Sequence, residues 1–142
     1  RYGDAANTTQ LGIADGTALW VWDGTTLAQS PDYVAGSRIC VVDQRLVYNQ
    51  GNSQKFGFSA LANMMSIDPL DFFSAERVPD NLVAIVPVYG ELLLMGTESG
   101  EMWQGVGGEA VFQRNDGAYI EHGCAAAHSL QLAGGGVAMR RA

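Results

Sequence analysis

The sequence predicts an all-β fold, a partial β-propeller-like array of antiparallel hairpins and meanders. Short runs of β-branched and aromatic residues alternate with turn residues along most of the chain. The 18 glycines in 142 residues exceed the average usage of ~7%, and most of them lie between those runs. The hairpin-tip residues Arg45, Glu91 and Gly135 are separated by 46 and 44 positions. That spacing is typical of propeller blades.

The first third of the chain predicts two hairpins. Residues 11–22 form the first, turning at Asp15-Gly16 with its tip near Thr17, and residues 25–27 add a short extended piece. Residues 38–49 form the second, with a polar tip that ends at Arg45. The first tip lies only 28 residues before Arg45, so it departs from the repeat. Residues 1–10 are polar and indicate no element.

Residues 68–86 are the least repetitive part, and the rest of the chain is organised around them. We interpret them as a loop that carries the apolar pair Phe72-Phe73 into a strand at residues 82–88, continuous and apolar enough to be buried on both faces. Residues 61–67 suit a helical turn that ends at Asp68, because a residue before proline avoids the helical conformation. Residues 60–81 are thus expected to be an irregular connection that locks one sheet against the next.

The C-terminal half predicts further strands in meander order. Turns at residues 89–91 and 97–100 join three strands, residues 105–108 form a loop, and residues 115–117 form another turn. We treat residues 1–142 as a single all-β module. Its blade-like segments are expected at about residues 11–30, 36–59, 82–104 and 118–139.

Charge and composition exclude several classes of function. The net charge of −7 opposes tight DNA binding, since affinity for DNA comes chiefly from Lys and Arg that displace counterions from phosphates. No apolar run approaches the ~18 residues of a membrane span, so no membrane anchor is expected. Cys40 and Cys124 lie in apolar segments and are expected to be buried, reduced thiols. The chain begins without Met and ends in an incipient strand, so we expect it to be a piece of a longer protein.

A cluster near the C-terminus contains metal-ligating residue types. Glu121, His122, Cys124 and His128 lie within eight positions, but their spacing fits no zinc pattern and the residues between them are mostly alanine and glycine. Cys124 and His128 could be a nucleophile pair, but they lack a third orienting group, and the alanines around Cys124 would raise the pKa of its thiol. We expect packing rather than a metal or cofactor site here.

Carboxylates in the central stretch raise the alternative of a propeller glycosidase, which needs two carboxylates at one sugar linkage. Asp68, Asp71, Glu76 and Asp80 are available, yet they occur with prolines and Asn81 in turn sequences, where Asp commonly caps its own backbone. The tryptophans could be ligand platforms, but alternating strand positions favour core or subunit contacts. These tryptophans are Trp20, Trp22 and Trp103. We predict no catalytic residues.

An ordered series of blocks in the sequence resembles the packaged-DNA stabilisation proteins of short-tailed phages of the P22 type. The blocks cover about two-thirds of the chain, between residues 33 and 132. They are residues 38–49, 56–58, 68–85, 95–97, 101–103 and 117–126. The C-terminal sequence, GGGVAMRRA at residues 134–142, departs from the aromatic strand and further repeats expected of that family.

The resemblance implies a structural virion protein, made in the host cytoplasm and assembled as a homo-oligomeric ring in the phage tail below the portal. It implies closure of the portal channel, retention of packaged DNA and later ejection, with contacts to neighbouring tail and portal proteins and no enzyme activity. An acidic channel wall would let DNA pass without sequence-specific binding. The expected core or interface anchors are Phe72, Phe73, Trp103 and Tyr119. The alternative function is a carbohydrate-binding or glycoside-cleaving propeller with Asp68, Asp71 and Glu76 near a pocket.

Overall fold

The computed structural model of the protein describes residues 2–3 and 9–140, which form three four-stranded antiparallel sheets and a C-terminal hairpin. The first sheet contains β1 (Tyr2–Gly3), β2 (Thr9–Ala14), β3 (Leu19–Trp22) and β4 (Leu27–Gln29). The second contains β5 (Ile39–Val42), β6 (Arg45–Asn49), β7 (Lys55–Ala60) and β8 (Asn63–Ser74). The third contains β9 (Leu82–Val88), β10 (Glu91–Gly96), β11 (Gly100–Gly107) and β12 (Val111–Ile120). A 3₁₀ turn, η1 (Ala127–Ser129), precedes the hairpin of β13 (Gln131–Ala133) and β14 (Gly136–Ala138).

Two-residue turns of one type set the repeat. Asp43-Gln44, Tyr89-Gly90 and Gly134-Gly135 each have both φ angles positive. This conformation matches the twist of the flanking strands and is the common turn of tight hairpins. The three turns join the first two strands of successive sheets at the spacing that the sequence predicted. Within the described residues, no helix is long and apolar enough to cross a membrane.

The outer strands β8 and β12 correct the sequence-based interpretation. Residues 60–81 were expected to be irregular, with a helical turn at residues 61–67, and residues 115–117 a turn. The structure instead has one strand at Asn63–Ser74 and one at Val111–Ile120, each with a four-residue bulge, whereas residues 75–81 lie outside any strand as expected. Residues 68–71 lie opposite Phe58, and residues 115–118 lie opposite Met102. The bulge removes Pro69, which has no N–H, from the ladder, and Asp68 Oδ1 accepts a hydrogen bond from Leu70 N–H at 2.9 Å.

The predicted segment boundaries shift accordingly. The first predicted segment began at residue 11, whereas β2 begins at Thr9, and the second, residues 36–59, lacks the fourth strand of its sheet. The third ended at residue 104, whereas β11 extends to Gly107. The fourth began at residue 118, but residues 118–120 belong to β12 of the third sheet. The 28-residue spacing also has an explanation. The turn near Thr17 joins β2 to β3 and corresponds to the Leu61-Ala62 turn, which itself lies 28 residues before Tyr89. In their own sheet, however, β2 and β3 are the second and third strands, between β1 and β4.

The sheets stack face to face, and three apolar clusters hold them together. One lies between the first and second sheets, one between the second and third, and one between the third sheet and the C-terminal hairpin. In β10, Leu92 and Leu94 join the second cluster, whereas Leu93 and Met95 join the third. Neighbouring residues therefore face different sheets, which accounts for the continuous apolar runs. The prediction that residues 82–88 form a strand is confirmed.

The turns of the first sheet depend on carboxylates that titrate at low pH. Asp15 Oδ1 accepts hydrogen bonds from Ala18 N–H at 2.7 Å and Thr17 N–H at 2.8 Å. Asp23 Oδ1 accepts equivalent bonds from Thr26 and Thr25. These bonds favour the charged form, chiefly through Ala18 for Asp15 and Thr26 for Asp23, and hold both pKa values below 3.8.

We expect both turns to weaken in acid. Because the folded pKa is depressed, the contribution to stability is complete above the unfolded value of 3.8 and is lost as the pH falls through the lower folded pKa. Carboxyl carbon chemical shifts should give midpoints below 3.8 for both groups, and the Ala18 amide should follow Asp15. In Asp15→Asn, which keeps an acceptor but cannot titrate, this movement of the Ala18 amide should disappear. Midpoints at or above 3.8 would contradict the argument.

Candidate functional site

The first sheet has an apolar outer face. Leu11 pairs with Trp22, Ile13 pairs with Trp20, and Trp22 pairs with Leu27, so these side chains share one face. Leu11, Ile13 and Trp22 are 37%, 46% and 38% exposed. Leu19 and Val21, at the alternate positions of β3, are buried against the second sheet. We call the exposed face the apolar flank, defined by Leu11, Ile13, Trp20, Trp22 and Leu27.

The equivalent face in the next repeat is covered. The second sheet turns Leu46, Tyr48, Met64 and Ile67 toward the first sheet, and all four are buried there. The apolar flank is therefore the kind of surface that, elsewhere in this molecule, packs against another sheet. A contiguous exposed apolar patch of this kind marks an interaction surface.

The edge of β2 on the side of β1, which we call its inner edge, is also open. β1 pairs only with Thr9 and Gln10, so within the described chain the backbone of Leu11–Ala14 has a ladder partner in β3 alone. By contrast, β7 and β11 have partner strands on both sides. Unpaired N–H and C=O groups at such an edge are a template for another strand. The first sheet thus combines an apolar face with an unsatisfied edge.

A cavity of about 280 Å³ lies beside this edge. Its lining comes from three sheets and is almost wholly apolar: Gly12, Ile39, Cys40, Val41, Leu46, Met64 and Pro87. Burial among these groups raises the pKa of the Cys40 thiol to about 12, so the group remains a thiol at neutral pH and is a poor nucleophile. The expectation of two reduced thiols holds, with Cys124 buried, but Cys40 is only partly buried because it borders the cavity.

Two of the four predicted anchors lie in the core. Trp103 is buried, and its ring centroid lies 5.2 Å from that of Phe56 in an edge-to-face arrangement. The Phe73 ring centroid lies 5.6 Å from that of Trp103. Trp103 Nε1 donates a hydrogen bond to the buried carboxylate of Glu101 at 3.0 Å. Trp103 and Phe73 therefore hold the second and third sheets together.

The other two anchors lie at the surface, on the bulged outer strands. Phe72 is 38% exposed, and Lys55 Nζ lies 4.1 Å from its ring centroid. The Tyr119 ring carries the Arg77 guanidinium 4.2 Å above its centroid. Such cation–π contacts are worth about 0.5–1 kcal/mol at exposed sites. Phe72 and Tyr119 are thus available for contact with other molecules, and their role as interface anchors stays a prediction.

The carboxylates of the glycosidase hypothesis do not converge on a pocket. Asp68 caps the bulge, and Asp80 Oδ2 accepts hydrogen bonds from Glu98 N–H at 2.7 Å and Ser99 N–H at 3.0 Å. Asp71 and Glu76 are exposed. None of the four lines the cavity beside β2. Asp68 and Asp80 therefore stabilise turns, as their sequence context indicated.

The metal and nucleophile candidates are also dispersed. Glu121, His122 and His128 are exposed, whereas Cys124 is buried and its Sγ lies 3.2 Å from the Ala126 carbonyl oxygen. Across residues 2–3 and 9–140, no group of three or more His, Cys, Asp or Glu residues is placed to hold a metal ion. The close spacing of these residues in the sequence therefore does not make them a set of metal ligands in the part of the chain that the structure describes.

Negative charge lies at the turns and outer strands rather than at the inner edge of the stack. β5 contacts β9, so the first strands of the second and third sheets are neighbours at that edge. Neither strand contains a charged residue. Asp43 lies in one hairpin turn and Glu91 directly follows another, and Asp68, Asp71 and Asp116 lie in the bulges. β5 and β9 therefore contribute no carboxylate at that edge.

Sequence reasoning named Trp20 and Trp22 as core or subunit contacts, but it missed the apolar face that they share with Leu11, Ile13 and Leu27, although a signal was present. Both alternate positions of residues 11–22 are apolar: Leu19 and Val21 at one parity, Trp20 and Trp22 at the other. A sheet at the end of a stack with one solvated face would show polar residues at one parity. Apolar residues at both parities therefore indicate an apolar surface on each face of the sheet.

Comparison with known proteins gives one family. A family model described as "Bacteriophage P22 Gp10, beta-propeller" matches residues 4–139 of the chain. No curated protein sequence matches the chain significantly. The stacked four-stranded sheets and the repeating turns are the features that a propeller requires.

Proposed function

Because the chain belongs to the phage stabilisation family of bacteriophage P22 Gp10, a family of structural phage proteins with a β-propeller fold, we propose that it is a tail component that closes the portal channel. In that role it keeps packaged DNA inside the head and later permits ejection. Its place in the virion follows from the family, and the family resemblance seen in the sequence is confirmed.

The apolar flank is the observation that best supports an assembly role. It leaves five large side chains of one sheet face exposed or half-exposed, together with an open strand edge. Such a surface is suited to another protein surface rather than to a small polar ligand. We propose that the partners are further copies of the chain in a ring and the neighbouring tail and portal proteins.

The distribution of charge supports passage of DNA without tight binding. The chain carries 8 basic and 15 acidic residues. Arg77 is engaged with the Tyr119 ring and the Asp116 carbonyl oxygen, and Arg114 is paired with Asp116 at 2.7 Å. A surface with few available cations releases few counterions from DNA and therefore binds it weakly. We propose that the ring retains DNA by obstructing its path.

Nuclease protection of packaged DNA tests this role. DNA-filled heads of the parent phage that lack the stabilisation protein should lose their DNA to nuclease, and adding the purified chain should protect it. Trp22→Asp, which places a charge on the apolar flank, should reduce protection at least tenfold, since each buried charge that is left unpaired costs several kcal/mol. Leu70→Asp is the matched control, because Leu70 is 82% exposed in the bulge of β8.

Both variants should keep the far-ultraviolet circular dichroism of the parent chain. Failure of the parent chain to protect DNA, or equal protection by Trp22→Asp, would contradict the proposal. A glycan hydrolysis assay on the same samples addresses the enzyme alternative. We propose that the chain has no such activity, and cleavage that disappears in Asp71→Ala would overturn that proposal.

A further inference from the structure

The hairpin turns of the second and third sheets meet at one end of the two sheets. Because neighbouring strands are antiparallel, the first and third turns of each sheet lie at the same end. These turns are residues 43–44 and 61–62 in the second sheet and residues 89–90 and 108–110 in the third. A Cβ built at Gly105 would lie 2.8 Å from Asp43 Oδ2, so the two sheets are in contact at this end. We call the surface formed by these four turns the turn end.

The opposite end of these sheets uses its polar side chains to hold the connections between sheets. Asp80 Oδ2 accepts two backbone hydrogen bonds in the turn after β10. Asn49 Oδ1 accepts a hydrogen bond from Arg38 N–H at 2.9 Å, and Arg38 Nη1 in turn donates to Ala127 O at 3.0 Å. Polar side chains at that end therefore serve the fold.

The turn end, by contrast, presents carboxylates that the fold does not use. Within the described chain, the side chains of Asp43, Glu91 and Glu109 make no hydrogen bond or ion pair. Arg45 is the only Lys or Arg in or directly beside the four turns, and its Nη1 donates to Ser59 O at 2.9 Å. The negative charge of the turn end is therefore not paired by the described part of the chain.

Tyr89 is unusual for its place in a turn. It has a φ of 49° and is 77% exposed, although a positive φ is disfavoured for a large side chain. The equivalent turn positions hold Asp43 and Gly134, residue types that adopt this conformation readily. Val111 also has a positive φ, of 53°, but its side chain packs against the cluster between the second and third sheets. The exposure of Tyr89 leaves little packing to offset its strain, which points to contact with another molecule.

Two further apolar side chains are exposed at or beside the turn end. Leu61 and Val106 are 53% and 43% exposed. Glu91 pairs with Gln104, so continuation of this register places Val106 opposite Tyr89. Tyrosine is among the residue types that dominate the binding energy of protein interfaces. The turn end thus combines an exposed aromatic and aliphatic surface with negative charge.

We propose that the turn end binds a cationic segment of another protein, with Lys or Arg side chains facing Asp43 and Glu109 and apolar side chains packed on Tyr89. This inference rests on the assembly role in the proposed function and identifies the chemistry of one partner. Charge complementarity selects that partner. A second copy of the chain fits the turn end less well because it carries 15 acidic and 8 basic residues, and the same carboxylates repel DNA.

Replacement of Tyr89 separates binding from folding. Asparagine tolerates a positive φ, and asparagine followed by glycine is a preferred sequence for this turn, so Tyr89→Asn should raise the urea midpoint of unfolding. The same variant should bind DNA-filled heads that lack the stabilisation protein about tenfold or more weakly than the parent chain, the effect typical of losing a hot-spot side chain. Sedimentation of labelled chain with the heads measures this affinity. Tyr89→Phe, which keeps the ring, should retain most of the binding.

Asp43→Asn tests the contribution of charge. It keeps a residue suited to the φ of 51° and removes one carboxylate. It should therefore weaken binding to the heads about threefold and make that binding less dependent on salt concentration. Glu98→Gln is the matched control, because Glu98 is an exposed carboxylate at the opposite end of the sheets, and it should bind as the parent chain does. Stronger binding by Asp43→Asn would mean that the partner is acidic and would overturn the proposal.

A photoreactive benzophenone amino acid at position 89 identifies the occupant. Illumination of the chain bound to the heads should join it to a peptide with an excess of Lys and Arg, which mass spectrometry identifies. Capture of a second copy of the chain or of an acidic segment would overturn the proposal, as would a lower urea midpoint for Tyr89→Asn. Equal binding by Tyr89→Asn and the parent chain removes only this inference, whereas a parent chain that does not bind the heads overturns the proposed function as well.

Discussion

Trp103→Ala should lower the free energy of unfolding by about 3–5 kcal/mol, the cost typical of removing a large buried aromatic side chain. The Trp103 ring packs at 5.2 Å from Phe56 and 5.6 Å from Phe73, at the centre of the cluster between the second and third sheets. Its loss leaves a cavity between two sheets whose other contacts keep them from closing over it. It also removes the Nε1–H donor from Glu101, a carboxylate that is 3% exposed.

Urea unfolding, followed by circular dichroism, measures this cost. Trp103→Phe separates the two contributions, because it keeps most of the ring contacts and removes only the donor. We expect it to cost about 1–3 kcal/mol, the penalty for a buried acceptor that loses its partner. Glu101 would retain the hydrogen bond from Arg77 N–H at 2.9 Å. A loss below 1 kcal/mol for Trp103→Ala would show that the sheets are not coupled through this cluster.

Gly123→Ala should destabilise the protein strongly, although it adds only a single methyl group to the connection after β12. The added Cβ would lie 1.9 Å from the Thr97 carbonyl oxygen and 2.5 Å from Glu98 N. These are backbone atoms in a turn whose Thr97 N–H donates to Asn81 O at 3.1 Å, so they have little freedom to move. Separation of the two segments would also break the bond from Cys124 N–H to Gly96 O at 2.9 Å.

We expect Gly123→Ala to lower the free energy of unfolding by about 1–3 kcal/mol or more, the usual cost of overpacking. Gly117→Ala provides the control six positions earlier. The nearest atom to its added Cβ is Asn115 Oδ1 at 3.5 Å, an ordinary contact. Its free energy of unfolding, measured in urea, should match that of the parent chain within about 0.5 kcal/mol. Equal effects of the two substitutions would refute the argument from backbone proximity.

The hairpin turns could be predicted from the sequence because their causes are local. Gly134-Gly135 and Tyr89-Gly90 supply a glycine where the turn requires positive φ, and apolar runs flank them. Their spacing indicated the repeat. The hairpin predicted at residues 11–22 is also present, as β2 and β3, and its turn near Thr17 departs from the repeat as the spacing indicated.

The outer strands could not be predicted because their cause is not local. Asp68-Pro69 and Asn115-Asp116-Gly117 have the residue composition of loops. Each of them lies in a bulge, where the chain leaves the ladder for four residues. The strand resumes after each bulge because partners far along the chain, such as Lys55–Gly57 for Phe72–Ser74, continue the ladder. The sequence contains no local signal for that pairing.

The same limit applies to the candidate site. Phe72 and Phe73 are adjacent and chemically identical, yet Phe73 belongs to the core and Phe72 lies at the surface beside Lys55. Which of the two is buried depends on the register of β8 against β7, and a shift of one residue would exchange them. Aromatic residues could therefore be named as anchors before their roles could be separated.

The stacking of sheets implies a gradient of amide hydrogen exchange along the chain. The second and third sheets each have a neighbour on both faces, whereas the first sheet and the C-terminal hairpin have one covered face each. In linear arrays of this kind, stability is approximately a sum over units and their nearest-neighbour contacts, so opening starts at the ends. The backbone amides of β6 and β10 should exchange last, through global unfolding, and those of β3 and β14 first, through fraying of the terminal units.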